Sequence, residues 1–259
     1  MKLEGRMIPL LLLIAAAFAA GVINSVAGGG SFLTFPSLVF SGVPPVMANA
    51  SSTVALVPGT MASVLAYRGD VQKTGEKNLK LWLLVSLLGG ALGAWLLLVT
   101  SDKTFQQIAP WLLLFATVLF AFGNQVSVGL RGRLHGSGWI MVLMMFPIAV
   151  YGGYFGGGIG IMFLAALRLY GMTDIHGMNG IKTIMGGSLN ALAALIFIIN
   201  KQVAWKPTLI MIVASIAGGY VGPRVARGMK PQVIRGVVIF VGVVMTAWFF
   251  WKAAHATAT

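Results

Sequence analysis

The chain has 259 residues, of which 58% are hydrophobic and only 9% charged, with 34 glycines and a mean hydropathy of +0.91. A soluble domain of ordinary composition is about a quarter charged, so a soluble enzyme, a nucleic-acid-binding module and a disordered chain are all disfavoured, and a polytopic membrane protein remains. The net charge of +13 comes from basic residues scattered between apolar runs, a pattern that fits cytoplasmic loops beside anionic membrane lipids rather than a nucleic-acid surface.

A crossing helix needs about 20 mostly apolar residues. Taken in chain order, uncharged runs place crossings near 8–26, 46–67, 80–100, 108–124, 138–156, 178–199, 206–223 and 234–251. The predicted fold is therefore all-α, with about eight transmembrane helices. Lys2, Arg6 and the apolar run after them resemble a signal peptide, but that run continues into glycine-rich sequence with a counterpart later in the chain, so a first transmembrane helix is the preferred reading. Residues 28–43, rich in Gly, Ser and Pro, cannot form a plain helix. The segment 68–80 carries both charge signs and reads as a solvated loop. With the N-terminus inside, most basic residues fall inside, but the cluster Arg224, Arg227, Lys230 and Arg235 opposes that orientation.

The chain repeats itself. Gly28-Gly29-Gly30 recurs as Gly156-Gly157-Gly158, Asn49-Ala-Ser-Ser-Thr53 as Asn179-Gly-Ile-Lys-Thr183, and Gly89-Gly90-x-x-Gly93 as Gly218-Gly219-x-x-Gly222. The offsets are 128, 130 and 129 residues, and seven positions beyond the second landmark Thr60 matches Asn190. Two related halves, 8–125 and 137–251, are expected, with a substrate site near mid-membrane between them. Four crossings in each half would make the halves parallel, whereas an odd number would invert them.

Three consecutive glycines break a membrane helix, and the freed backbone groups must meet protein, water or a solute rather than lipid. Residues 31–40 can then form a half-membrane helix whose N-terminus offers unpaired N–H donors and the positive dipole end to an anion. Gly156–Gly160 repeats the device. The glycines could instead only permit tight packing, the reading preferred for Gly89/Gly93 and Gly218/Gly222. Beside the breaks lie Asn24, Ser25, Ser31 and Thr34. Asn49, Ser52 and Thr53 share one helix face at i, i+3, i+4, as do Asn179, Lys182 and Thr183. Interhelical hydrogen bonding is the competing explanation for such hydroxyls.

The proposed binding set is Asn24, Gly29, Gly30, Ser31, Asn49, Ser52, Thr53, Gly157, Gly158, Ile159, Asn179, Lys182 and Thr183. Lys182 stands where the first half has Ser52, and an intramembrane cation marks a pathway unless it snorkels to the interface. Asp174, about 12 Å away along a helix, is too far to pair with it and reads as a helix N-cap. Asp174 and His176 are weak candidates for proton or ion coupling. With zero cysteines and three separated histidines, His135, His176 and His255, no metal or other cofactor is called for.

In Asn24-Ser-Val-Ala-Gly-Gly-Gly-Ser-Phe-Leu-Thr-Phe-Pro-Ser-Leu, in Val43-Pro-Pro-Val-Met-Ala-Asn-Ala-Ser-Ser-Thr-Val-Ala-Leu-Val-Pro-Gly leading to Ala66-Tyr-Arg, and in Tyr154-Phe-Gly-Gly-Gly-Ile-Gly and Asn179-Gly-Ile-Lys-Thr, the chain resembles the TauE/SafE family, also called sulfite exporters or toluene-sulfonate uptake permeases. Where that family often has a second polar residue after the asparagine, this chain has Ala50 and Gly180. The resemblance implies seven to eight helices in two repeats in a prokaryotic inner membrane, and transport of sulfite, sulfonates, sulfoacetate or related organic anions. The expected function is a secondary transporter of a small anion working by alternating access. A passive anion channel and a non-transporting, partner-binding membrane subunit are the alternatives, and an enzyme is not expected. Membrane lipids and the anion are the expected partners, and a homo-oligomer is left open.

Overall fold

The computed structural model describes residues 4–26, 28–129, 138–228 and 231–256. Arg131, Arg133, His135 and Lys230 lie outside the described residues, as do the side chains of Arg6, Ser25, Gly222, Arg224, Arg227, Arg235 and His255. All regular structure among the described residues is helical: α1 (Glu4–Val26), α2 (Ser31–Phe40), α3 (Pro45–Thr74), α4 (Leu79–Val99), α5 (Asp102–Gly129), α6 (Gly138–Tyr154), α7 (Ile159–Tyr170), α8 (Ile175–Ile199), α9 (Trp205–Gly228) and α10 (Pro231–Ala256). Leu79–Val99, Asp102–Phe122 and Ile175–Ile199 are each long and apolar enough to cross a membrane. Pro45–Leu65 and Tyr67–Thr74, bent by 59° at their junction, pass the same test only when taken together as one span. Large apolar side chains face outward along the helices, among them Trp139 at 78%, Leu65 at 73% and Val213 at 70% exposure. Such a surface suits lipid rather than water.

Eight of the ten helices among the described residues overlap the runs read as crossings, but an eight-span arrangement is not established by their length and apolarity. The other two, α2 and α7, are the short helices that begin at the glycine triplets. Gly28, Gly29, Gly156 and Gly158 have φ of 73°, 108°, 80° and 81°, a left-handed region that a side chain bearing Cβ rarely tolerates. At each triplet the chain doubles back. A Cβ on Gly30 would lie 2.8 Å from the Ala20 carbonyl in α1, and one on Gly152 in α6 would lie 3.1 Å from Ile159 at the start of α7.

Neighbouring pairs fix the helix directions. Thr34 hydrogen-bonds Ser52 across the tight turn between α2 and α3, so these two are antiparallel. Ile159 beside Gly186 makes α7 and α8 antiparallel in the same way. Thr74 meets Gly177, Val71 meets Gly180 and Thr60 meets Gly187, so α3 and α8 are antiparallel too. Trp111 stacks edge-on against Phe250 while Thr117 abuts Gly242, and α5 and α10 are likewise antiparallel. The helices that correspond in the sequence repeat thus run in opposite directions. Parallel halves would need α3 and α8, and α5 and α10, to run the same way; in both pairs the directions are opposite.

The glycine pairs serve close helix contact. Gly89 of α4 lies against the Phe146 carbonyl of α6, and its counterpart Gly218 of α9 lies on the Phe18 carbonyl of α1. The α4/α6 and α1/α9 contacts therefore use equivalent small residues. Beneath α2, buried Phe35 packs against Phe105, Phe155 and Phe249 with ring centroids 5.8, 5.8 and 5.3 Å away, which anchors the short helix to α5, the second glycine turn and α10.

Candidate functional site

The two helix breaks meet. A Cβ on Gly28 would approach the Cα of Gly160 to 3.2 Å, and one on Gly156 would lie 3.7 Å from the Ser31 hydroxyl. Because α2 opposes α3, α7 opposes α8, and α3 opposes α8, the half-helices α2 and α7 run in opposite directions with their N-termini at this meeting point. Between them and the middle of α3 and α8 is a cavity of about 60 Å³, room on the order of four waters. Of the sequence-derived set, Asn24, Gly29, Ser31, Thr53, Ile159, Lys182 and Thr183 line it. Gly30, Asn49, Ser52, Gly157, Gly158 and Asn179 are not among the residues that line it.

Four of these residues have partners that hold the breaks in place. The Gly30 amide donates to Asn24 Oδ1 at 2.8 Å, so Asn24 satisfies one N–H at the start of α2. Asn49 Nδ2 donates to the Tyr154 carbonyl at 2.8 Å, tying α3 to the second break, while its Oδ1 is buried with no partner among the described residues. Ser52 and Thr34 share a 2.6 Å hydrogen bond that clips α2 to α3. The Tyr151 hydroxyl donates to the Gly157 carbonyl at 2.9 Å, steadying the second turn.

Other groups remain available to a solute. The first amides of a helix have no acceptor within it; those of Ile159 and Gly160 find none among the described residues, whereas the next two, Ile161 and Met162, bond the Gly158 carbonyl. The hydroxyls of Thr53 and Thr183 are spent on their own helix, donating to the carbonyls of Asn49 and Asn179 at 3.1 and 2.7 Å.

Lys182 is 5% exposed, and its Nζ donates to Asn179 Oδ1 at 3.3 Å. Among the described residues no carboxylate pairs with it, and it is the one charged side chain on the cavity wall. In the first half, the corresponding Ser52 turns to Thr34; the residue matching Thr34 in the second half is Met162, which offers no oxygen, and the lysine faces the cavity instead.

Asp174 caps α8, accepting from the amides of His176 and Gly177 at 3.1 and 3.0 Å, and the His176 side chain is exposed. Neither lines the cavity. Thr60, Gly186, Gly187 and Asn190 also line it and are absent from the sequence-derived set. The match of Thr60 with Asn190 in the repeat was the available signal for two of them.

The family profile described as sulfite exporter TauE/SafE matches residues 13–249. Among curated proteins, a probable membrane transporter protein of Haemophilus influenzae is 28% identical over 92% of this chain and 93% of its own. A probable membrane transporter protein of a Sinorhizobium species is 30% identical over 95% of this chain and 94% of its own. The probable membrane transporter protein YfcA of Escherichia coli K12 is 27% identical over 92% and 89%. No solved structure matches the chain significantly.

Proposed function

The chain belongs to the sulfite exporter TauE/SafE family of membrane transporters, and on that premise we propose that it is a secondary carrier of a small anion, such as sulfite, an organosulfonate or a short organic acid, in a prokaryotic inner membrane. The observation that carries this reading is the convergence of two broken helices on one cavity where Lys182 is the one charged wall residue among the described residues. The anion sits among the Ile159 and Gly160 amides, the Ser31 hydroxyl and Lys182 Nζ. In this reading the halves 8–125 and 137–251 are inverted repeats. The opposed directions of α3 and α8 and of α5 and α10 support that arrangement, which inverted-repeat carriers use to expose a midplane site alternately to each side. Each half then contributes one hairpin entering from its own face of the membrane.

Counterflow in proteoliposomes tests the reading. A carrier loaded with unlabelled solute accelerates uptake of labelled solute, and Lys182→Met is expected to cut that exchange at least tenfold, about 1.4 kcal/mol, at unchanged expression. Equilibration without acceleration from the opposite side would identify a passive anion channel instead. Full exchange by the Met variant would show the charge to be dispensable.

A further inference from the structure

Resting on the anion reading above, we infer that the solute this cavity accepts carries a single negative charge, set by Lys182, and that divalent anions of the same size are rejected. Charge counting around the cavity leads there. Among the described residues its wall holds one formal positive charge and no acidic side chain; the other polar groups on it, from Asn24, Ser31, Thr53, Thr60, Thr183 and Asn190, are neutral. The lysine is 5% exposed and bonded only to the neutral amide of Asn179 among the described residues. A buried charge with no counter-charge is costly, and removing it from water is offset only by a partner of opposite sign in good geometry. A monoanion leaves the filled cavity neutral. A dianion leaves one uncompensated negative charge, and a neutral solute leaves the lysine unpaired. The converging starts of α2 and α7 bring dipoles that orient the guest, but they add no net charge. Size acts in the same direction: about 60 Å³ is too little for a dianion to bring its own hydration shell.

The test is a ladder of charge at nearly constant shape. Dimethyl sulfone, methanesulfonate and sulfate place zero, one and two negative charges on a tetrahedral sulfur. Each is titrated into the purified full-length protein in detergent at fixed ionic strength, reading the shift in unfolding temperature, which follows ligand occupancy. Sulfate also stabilises proteins nonspecifically, so only saturable shifts count. Methanesulfonate is expected to bind at least about tenfold tighter than either relative. Lys182→Arg is expected to keep that order. Lys182→Met is expected to lose the methanesulfonate shift while that of the sulfone is unchanged or larger. Sulfate binding as tightly as methanesulfonate, or a methanesulfonate shift that survives in Lys182→Met, would overturn the inference while leaving an anion site in place. If none of the three compounds, nor acetate or formate, gives a saturable shift in the wild type, the anion reading itself falls and this inference with it. Should the Met variant not purify as a folded species, the wild-type order alone decides.

Discussion

At the scale of single residues, the cavity separates hydroxyls by where their protons go. Thr53 and Thr183 donate theirs to the preceding turn of their own helices, so each can accept from a guest but has no proton left for an anion. The Ser31 hydroxyl makes no such bond among the described residues, and Ser31 lines the cavity. Thr53→Val and Thr183→Val are therefore expected to change anion affinity by less than about threefold, whereas Ser31→Ala should weaken it by roughly three- to tenfold, the loss of one hydrogen bond of about 0.5–1.5 kcal/mol. Titration of the unfolding temperature separates the two outcomes. Equal losses at all three positions would mean that the threonines turn to the solute when it binds. The sequence made all three look alike, since donor direction depends on the local rotamer. It did single out Lys182, because a cation inside an apolar run is visible from composition alone. Asn49 and Ser52 shared the same stripe but are used for holding the breaks in place, a distinction that needs their partners Tyr154 and Thr34, distant in sequence or across a turn.

At the scale of elements, the glycine triplets marked both interruptions and the start of α2, because glycine at positive φ is a local property of the chain. The reversal that follows was not legible. A ten-residue helix after a break reads the same whether it continues forward or turns back, and only the approach of Gly30 to Ala20 decides it. That reversal makes a testable difference. The turn at Ser41, between α2 and α3, and the turn at Thr173, between α7 and α8, should lie on opposite faces of the membrane. The chain has no cysteine of its own, so Ser41→Cys and Thr173→Cys can each be labelled with a membrane-impermeant maleimide on cells and on inverted vesicles. Opposite patterns are expected, and labelling of both from the same side would restore parallel halves.

At the scale of the molecule, the repeated landmarks at offsets near 129 residues lead to the expectation of two related halves, but the count of ordinary crossings governs whether such halves are parallel or inverted, and hydropathy alone counts each hairpin's long arm as a crossing. Once α1–α2 and α6–α7 are hairpins, three long helices remain in each half, α3 to α5 and α8 to α10. The two hairpin tips meet at one place, as the proposed inverted relation requires. Thr60 lies on that shared wall and bonds its hydroxyl to the Leu56 carbonyl at 3.0 Å, so a cysteine there disturbs little. The most direct measurement is the alkylation rate of Thr60→Cys by an impermeant reagent applied from each side in turn, with and without a saturating small monoanion. A carrier with its anion site between the tips should be labelled from both sides and protected at least about fivefold by the anion, with protection abolished by adding Lys182→Met. Labelling from both sides that no anion slows, or that stays anion-sensitive without the lysine, would contradict it.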